Sequence, residues 1–557
     1  MIDIPRLLRT LAYMRPGQVI NRVLRMVPRR IDLRPTEPPV RRQGSVGGWA
    51  QCSGRAPALV GPDRISLLGL EGDISTPGIW TDTRFPRLWL YHLHYFDDLL
   101  AGGASGRRAE HADLIERWIK ENPPLAGAGW EPYPLSRRIP NWIAWALGGG
   151  PLSDAAAESL FLQARVLAAT LEWHLLGNHL FANARALVFA GVFFDGREAD
   201  AWLKVGLSIL DAECQEQILA DGAHFELSPM YHAITLEDLT DLVQLSRLYP
   251  ASHALAARRD VWIADAGRMM TWLSAMTHPD GEVAFFNDST FAQARPPSAV
   301  IEYAAAMGCG GVAVEEPLTH LPNSGYIRLA RGPWFVLFDV AHVGPTYIPG
   351  HAHADTLSFE LSLGRQRVVS NSGISTYAIG EMREWERSTA AHATVEIAGK
   401  NSSEIWGSFR VGRRARPFGI EVKTCETATS ARGAHDGYRF LPGRPVHSRE
   451  IEIDGLRVFV RDRVSGGDEL PTVGRLPLHP DIAVENSDAH GWRIRTPDGH
   501  RIQVTVRGAQ ALRLDEGTFG CGFGICRSRA VLCWTLRGEG SVETEFAFEI
   551  KAELRSS

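Results

Sequence analysis

Histidine occurs beside other polar side chains in three short stretches of this sequence, and imidazole, phenol and carboxylate groups can transfer protons or bind metal ions. The stretches are 177–185 (GNHLFANAR), 225–232 (FELSPMYH) and 349–361 (PGHAHADTLSFEL). General acid–base catalysis requires side chains of these types within hydrogen-bonding reach of a substrate. The three stretches would form one site only if the fold brings them together.

The third stretch places two histidines and an aspartate at alternate positions. In an extended chain, residues i, i+2 and i+4 project from one face, so His351, His353 and Asp355 are predicted to share a face where a strand begins. Such a group can transfer protons, bind a metal ion or form a structural hydrogen-bond network. The other stretches also have structural interpretations, because Asn178 fits a helix N-cap and Ser228 fits a capping serine.

The elements around these stretches change character near Pro322. Before it, apolar residues recur at helical spacing in long segments with short breaks, which is typical of antiparallel helices. Apolar residues recur at helical spacing over 88–100, a helix is predicted through 141–143, and the long predicted helices are 155–176, 181–194, 200–219, 236–248 and 262–276. After it, alternating apolar residues predict strands at 326–339, 357–363, 367–369, 393–397, 450–460 and 501–506, with hairpin turns at Asp454-Gly455 and Asp498-Gly499.

A run of helices followed by a run of strands indicates an α+β multidomain protein with separate α and β parts. The length of 557 residues also exceeds what one hydrophobic core usually organises. We predict a basic, irregular N-terminal arm at 1–84, a toroid of helical hairpins at 85–318 and a β domain at 319–557.

Composition makes several classes of protein improbable. The net charge of -5 and the lack of a basic domain give no reason to expect nucleic acid as a partner. The seven cysteines are scattered without a CxxC pair, which argues against a disulfide framework or a cysteine zinc site and favours a reducing compartment. The 16 tryptophans could stack on sugars, but core packing is the favoured interpretation.

The first 30 residues carry arginines between apolar residues, without the long apolar stretch of a signal peptide or a membrane span. A basic amphipathic arm can make peripheral contact with an anionic membrane surface, although docking on its own protein is the favoured interpretation. The sequence therefore predicts a cytoplasmic protein, with a periplasmic location as the alternative.

Taken together, the three stretches resemble the heparinase II/III family of polysaccharide lyases in order and spacing. The resemblance extends to 88–99, 130–142, 387–392 (RSTAAH) and 404–415 (EIWGSFRVGRRA). It implies an N-terminal (α/α) toroid, a C-terminal antiparallel β-sandwich and cleavage of a uronic-acid-containing acidic polysaccharide by β-elimination. That reaction needs neutralisation of the uronate carboxylate, a base for the C5 proton and an acid for the departing O4.

The resemblance implies roles for particular residues. Asn178 matches the amide that neutralises the carboxylate, and His179 beside it would be a second donor or a base. Tyr231 matches the tyrosine that acts as acid, or as base when the proton lies on the same side, and His351 matches the histidine supplied by the β domain. Substrate-binding or supporting roles are expected for Arg185, Glu226, His232, Tyr377 and Arg387.

The resemblance also raises the question of zinc, because some family members hold this ion with two histidines and an aspartate. His353 and His392 match the histidines, whereas Asn371 stands where the aspartate is expected. A neutral amide is a poor zinc ligand. The site is therefore predicted to be degenerate, metal-free or completed by Asp355. No cofactor is required, and structural zinc stays an open alternative.

Two other functions remain open. A glycoside hydrolase needs two carboxylates that flank the scissile bond, and the candidates are Asp221, Glu226, Glu237 and Asp238. A non-catalytic glycan-binding or exopolysaccharide-assembly protein would keep the fold without the chemistry, since fold resemblance alone does not fix function.

Overall fold

The chain forms an N-terminal arm, a helical domain and a β domain. A computed structural model describes residues 4–27, 30–34, 39–467 and 469–549. Helices α1–α12 are, in chain order, Ile4–Leu11, Pro16–Leu24, Arg87–Tyr95, Arg108–Glu121, Pro132–Leu147, Asp154–Ala169, Gly177–Phe193, Arg197–Gln217, Pro229–Leu248, His253–Ala275, Pro297–Ala306 and Glu381–Glu386.

Strands β1–β24 lie mostly after the helices. They are Val40–Arg41, Leu59–Gly61, Arg64–Leu67, Leu70–Asp73, Phe194–Asp195, Leu318–Leu321, Tyr326–Arg331, Trp334–Asp339, Phe359–Leu363, Gln366–Val369, Val395–Ile397, Ile405–Trp406, Arg410–Val411, Pro417–Thr424, Ala428–His435, Val446–Asp454, Arg457–Ser465, Pro471–Pro477, Ala483–Asp488, Gly491–Arg495, Arg501–Arg507, Ala511–Gly522, Ile525–Arg537 and Gly540–Glu549.

Helices α3 to α11 build the toroid around one apolar core. The periodicity correctly predicts α6, α7, α8 and α10, apart from shifts at their ends. Helix α9 starts earlier than predicted, at Pro229, because proline is favoured in the first turn and Ser228 caps the helix through the N–H of Tyr231. Helices α4 and α11 were not predicted. Asn178 is not the N-cap of α7, which begins one residue earlier, after Leu176.

The β domain contains three larger antiparallel sheets. Their strand orders are β10-β9-β8-β7-β6, β11-β18-β23-β22 and β14-β15-β16-β17-β24-β21-β20-β19. All three contribute side chains to one buried cluster, which includes Val336, Val460 and Trp534. The sheets therefore pack as layers over a shared core, as in a sandwich. Both Asp-Gly turns join adjacent strands as predicted, β16 to β17 and β20 to β21.

The segment with the paired histidines differs from the prediction. Strand β9 starts only at Phe359, so His351, His353 and Asp355 lie on an irregular loop before the strand. An irregular loop can direct successive side chains to different partners, and this loop does so. The three side chains therefore do not share one face of a strand.

The N-terminal arm is more regular than predicted. It contains helices α1 and α2 and a small sheet of β2, β3 and β4. Strand β1 pairs with β5 of the helical domain, which ties the arm to the toroid. Within the described ranges, no helix combines the length and the apolar character needed to cross a bilayer.

One buried arginine links the sheets of the β domain. Arg449 on β16 makes a bidentate ion pair with Asp462 on β17, at 2.8 and 3.0 Å. Its remaining nitrogen donates to the main-chain oxygens of Leu357 and Ala393, which precede β9 and β11. A single guanidinium thus satisfies acceptors from three parts of the sandwich.

We expect Arg449→Met to lower the free energy of unfolding by about 3–5 kcal/mol, because it leaves Asp462 charged, buried and unpaired. Arg457→Met is the matched control on the next strand. Arg457 is exposed and forms one distant ion pair, so its loss should cost about 0–1 kcal/mol. Denaturant unfolding midpoints of the two variants measure this difference in stability. Equal midpoints would contradict the stabilising role of Arg449.

Candidate active site

The three polar stretches meet at the junction of the helical and β domains. Tyr231 lies in the first turn of α9, and its ring centroid is 4.1 Å from that of His351 on the loop before β9. Glu226 joins them to the first stretch, 177–185. Its Oε2 is 3.4 Å from Nε2 of His351, and its Oε1 accepts the main-chain N–H of Asn178 at 3.1 Å. The convergence predicted from sequence is therefore present.

A glycine makes the approach of α7 to Glu226 feasible. Gly177 has a φ of 57°, and a Cβ at this position would lie 2.8 Å from Oε1 of Glu226. Any other residue would both strain the backbone and push the carboxylate away. Gly177 thus lets Asn178 present its main-chain N–H to Glu226. The side-chain amide of Asn178 has no hydrogen-bond partner among the described residues, and the residue is half-buried.

Asp288 holds the histidines in place. One carboxylate oxygen accepts from Nδ1 of His351 at 2.8 Å and the other from Nε2 of His353 at 2.9 Å. The guanidinium of Arg383 binds both oxygens. Burial opposes the charge, but Arg383 and the two imidazoles hold the pKa of Asp288 well below its usual range. Because Nδ1 of His351 donates to Asp288, Nε2 is the nitrogen left for other partners, and it lies beside Oε2 of Glu226.

His179 forms a second imidazole–carboxylate pair on the helical side. Its Nδ1 is 3.2 Å from Oε2 of Glu172, which also accepts from the side chain of Asn183 at 3.1 Å. Burial acts to lower the pKa of His179, but the charge and hydrogen bond of Glu172, together with the charge of Glu226, outweigh burial, so the pKa is raised. The ring of Tyr133 packs against that of His179, with centroids 4.5 Å apart. His179 is therefore suited to carry positive charge.

Two phenols meet in the cleft. The hydroxyls of Tyr231 and Tyr377 are 2.9 Å apart and share a hydrogen bond. Burial, together with the neighbouring Tyr377, raises the pKa of Tyr231 well above its ordinary value. Burial also raises the pKa of Glu226, against the influence of His351. Tyr231 thus holds its proton at neutral pH and can donate it.

The cleft extends beyond these groups into the toroid. A cavity next to Tyr231 and Tyr377 is also lined by Tyr133, Arg137 and Arg55. Aromatic faces and guanidinium groups are the side chains that contact sugar rings and their acidic substituents. The arm contributes to this cavity through Arg55.

Three residues expected to bind substrate have other partners. His232 follows Tyr231 but faces the core, where its nitrogens bind the main chains of His224 and Met269 and burial lowers its pKa to about 3. The guanidinium of Arg387 donates to the main-chain oxygens of Ala352 and Gly407, so it supports the loop with His351. The third residue with other partners is Arg185.

Arg185 is 3% exposed and forms ion pairs with Asp238 and Asp241 inside the toroid. Its charge is therefore neutralised by the protein, which agrees with a supporting role rather than sugar binding. Of the expected set, Glu226 and Tyr377 do lie at the cleft.

The carboxylates considered for a hydrolase are mostly engaged elsewhere. Asp238 pairs with Arg137 and Glu237 pairs with Arg295. Asp221 accepts hydrogen bonds from the main chain and side chain of Ser324. Glu226 is the one member of this set that faces His351, so the site lacks the pair that hydrolysis would need from these candidates.

A cluster of possible metal ligands lies directly behind Asp288. The ligand atoms of His353, Asp355 and His392 all lie within 4.8 Å of one another. Nδ1 of His353 and Nε2 of His392 are 3.0 Å apart. The outer nitrogens of the two rings face acceptors, Asp288 and the main-chain oxygen of Ser388. The two inner nitrogens of the neutral rings therefore direct lone pairs at each other, an arrangement that a cation would relieve.

Asn371, expected at the aspartate position of this cluster, is held by structural bonds. Its side-chain oxygen accepts the N–H of Ala393 at 3.0 Å, and its nitrogen donates to Ser358 at 3.4 Å. The carboxylate that the fold brings to the two imidazoles is that of Asp355. Among the alternatives left open by the sequence, this geometry fits recruitment of Asp355.

Three residues of the site were missed from the sequence. Asp288 follows an apolar run (VAFF) within the stretch NDST at 287–290, and such an abrupt change could have identified it. Glu172 and Tyr133 gave no comparable signal, because single polar residues near helix ends are common. Their roles depend on which helices are neighbours.

Comparison with known proteins agrees with this architecture. The sequence matches the family descriptions "Heparinase II/III N-terminus" over residues 157–306 and "Heparinase II/III-like, C-terminal" over 313–549. The fold resembles the crystal structure of heparinase III, with a TM-score of 0.66, 18% identity and coverage of 84% of this chain and 79% of that one. The chain belongs to the heparinase II/III family.

Two curated relatives differ in how much they share with this chain. A "Heparin-sulfate lyase" of Pedobacter heparinus is 28% identical over 253 residues, which are 40% of this chain and 36% of that protein. The "FtsZ-localized protein C" of Caulobacter vibrioides is 26% identical over 504 residues, covering 81% of this chain and 80% of that protein. The chain thus matches about a third of the lyase and most of the second relative.

The His179–Glu172 pair gives a pH-dependent prediction. Because the folded-state pKa of His179 is raised above 6.5, the pair stabilises the fold fully below that pH, and its contribution is lost as the pH rises through the folded pKa. NMR titration of labelled histidines should show His179 titrating above 6.5, and below it in Glu172→Gln, where burial dominates. Glu158→Gln, on an exposed face of α6, is the control, and an unchanged His179 in Glu172→Gln would contradict the pairing.

Proposed function

We propose that this protein is a polysaccharide lyase that cleaves uronic-acid-containing acidic polysaccharide by β-elimination. The observation that carries the proposal is the convergence of Asn178, His179, Tyr231 and His351 at one cleft between two domains. These four residues supply, in that order, an amide, an imidazole with raised pKa, a protonated phenol and a second imidazole. The family membership and the similarity of part of the chain to heparin-sulfate lyases support it.

Each step of the elimination has a group suited to it. The amide of Asn178 and the positively charged His179 would bind the uronate carboxylate, which makes the C5 proton more acidic. A base removes that proton, its electron pair forms the C4–C5 double bond, and the C4–O4 bond breaks. An acid then protonates the departing O4. The products are a new reducing end and a 4,5-unsaturated uronate end.

We assign the acid role to Tyr231 and the base role to Nε2 of His351. Tyr231 holds its proton because burial raises its pKa. The Asp288 carboxylate accepts from Nδ1 of His351, which leaves the lone pair on Nε2, beside Glu226, to take the proton and stabilises the imidazolium that forms. Tyr377, bonded to the Tyr231 hydroxyl, would stabilise the phenolate left after proton donation.

The test is incubation with a panel of uronate polymers, followed by ultraviolet detection of the unsaturated uronate and mass spectrometry of the products. Tyr231→Phe and His351→Ala should each lower kcat by about 10²–10⁴-fold, because each removes a proton-transfer group. The matched control is Ile379→Ser, close to Tyr377 but 84% exposed, which should keep full activity. Activity that survives in both catalytic variants would refute the assignment.

We further propose that His353, Asp355 and His392 hold a divalent metal ion of the zinc type. The support is the pair of inner imidazole nitrogens 3.0 Å apart beside a carboxylate, close to the roughly 3.3 Å expected between ligands on tetrahedral zinc. Bound there, the ion would fix the loop that carries His351, through the Asp288 bridge. No catalytic step passes through it.

Elemental analysis of the purified protein should give close to one equivalent of zinc, and His392→Ala should lose it. A chelator should lower the melting temperature of the wild type while leaving that of His392→Ala unchanged. His490→Ala, on an exposed turn of the large sheet, should retain the metal. Retention of zinc by His392→Ala would exclude this ligand set.

A second candidate function is a non-catalytic glycan-binding or assembly protein. The match that covers four-fifths of both chains is to FtsZ-localized protein C, which is named for its location rather than for a reaction. The same substrate panel separates the two candidates. Binding of an acidic polysaccharide without any unsaturated product over long incubation would favour this second function.

A further inference from the structure

The apolar side chains of helix α1 face solvent. Ile4, Leu8 and Leu11 recur at i, i+4 and i+7 and are 63%, 61% and 44% exposed. This spacing places them in one stripe along the helix. No residue of α1 is buried.

Helix α2 repeats the arrangement. Val19, Ile20, Val23 and Leu24 form a second stripe, between 44% and 59% exposed, and Val27 beyond the helix is 60% exposed. Together the two helices concentrate large exposed aliphatic side chains within a short part of the chain. Patches of this kind on a soluble surface mark interaction sites.

Polar side chains attach these helices to the rest of the protein. Gln18, which is 2% exposed, donates to the main-chain oxygen of Leu175. The guanidinium of Arg15 lies 3.6 Å above the ring of Tyr347 and pairs with Glu216. The hydroxyl of Thr10 accepts from the indole of Trp406, and Arg9 binds Glu404.

This orientation is the reverse of that of an ordinary surface helix. A helix on a globular protein buries its apolar stripe and exposes its polar face. Here, Arg15, Gln18 and Arg25 contact Glu216, Leu175 and His174 of the helical domain, whereas the aliphatic residues of α2 are exposed. The fold therefore holds an apolar surface outward, and that surface needs an apolar environment.

We propose that the outer face of α1 and α2, defined by Ile4, Leu8, Ile20, Val23 and Val27, docks on the interface of an anionic lipid bilayer. The helices have 8 and 9 residues, too short to span a membrane but suited to lie in the interfacial plane. The insertion of aliphatic side chains among acyl chains removes them from water.

Charge favours an anionic surface. The sequence has no acidic residue between Asp3 and Asp32, whereas arginines recur throughout this segment. Arg22 is exposed beside the apolar stripe, and the charge of Arg410 acts on it unfavourably. Two neighbouring guanidinium groups attract a phosphate headgroup, which would relieve their repulsion.

The composition of the patch favours lipid over a protein partner or a second copy of this chain. Protein interfaces are enriched in aromatic residues at their buried centres. The outward side chains of α1 and α2 are aliphatic, together with Met26, which is 82% exposed. Such a surface lacks the shaped anchors of a protein interface and suits a fluid acyl layer.

The docked orientation would place the cleft close to the membrane. Helix α2 is preceded by Arg15, which contacts Tyr347, four positions before His351 on the same loop. Helix α1 contacts the segment of Glu404 and Trp406, near Phe409, whose ring is 6.1 Å from that of His351. The face that binds lipid thus borders the loops that form the cleft.

The test is co-sedimentation of the full chain with vesicles of phosphatidylcholine alone and of phosphatidylcholine mixed with phosphatidylglycerol. The wild type should bind the mixed vesicles. The triple variant L8Q, I20Q, V23Q should lower the partition coefficient by roughly 1,000-fold, because each of the three buried aliphatic side chains contributes about tenfold. Arg22→Gln should lower binding to the mixed vesicles severalfold and leave binding to phosphatidylcholine unchanged.

The matched control is V205Q, V261Q, L514Q, at positions 43%, 59% and 49% exposed on α8, α10 and β22. It should bind vesicles like the wild type. Sedimentation velocity without lipid tests whether a second copy of this chain covers the face instead, and a dimer that the L8Q, I20Q, V23Q variant dissociates would overturn the proposal. Wild-type protein that stays in the supernatant with mixed vesicles would also overturn it. Because the readout is lipid binding, it is independent of lyase activity.

Discussion

The carboxylate of Asp288 is the interaction on which the site depends. It is fully buried, and a buried charge is stable only when its partners satisfy both oxygens. Arg383 supplies the opposite charge, and His351 and His353 supply the remaining donors. One group therefore fixes the imidazole at the cleft and the imidazole of the metal-type cluster, and joins the end of the helical domain to the β domain.

A second constraint is that Asn178, His179 and Tyr231 lie in the first turns of helices. Main-chain N–H groups in a first turn have no partner within the helix, so polar residues collect there. In α7 the N–H of Asn178 binds Glu226, and in α9 the N–H of Tyr231 binds Ser228. Both turns lie at the edge of the toroid that faces the β domain, which explains why polar stretches interrupt apolar helices at these points.

The amphipathic pattern of the N-terminal arm does not show which face of its helices meets the protein. Its sequence shows basic and apolar residues at helical spacing, and that pattern is the same whichever face meets the protein. Docking on its own protein was expected, and it occurs through polar side chains such as Arg15 and Gln18. The pattern could not show that the aliphatic face would be left outward, since this depends on acceptors in distant parts of the chain.

The sequence by itself determined the order of a helical and a β domain, most of the main helices, two hairpin turns and the three stretches that meet at the cleft. It could do so because periodicity and turn chemistry are local. The direction of individual side chains was decided only by the tertiary structure. His232 and Tyr231 are neighbours in sequence, yet about 100° of helical rotation puts one in the core and the other in the cleft. Asp288 acquired its role because folding placed it between two imidazoles and a guanidinium, and such long-range charge pairing leaves no periodic trace in the chain.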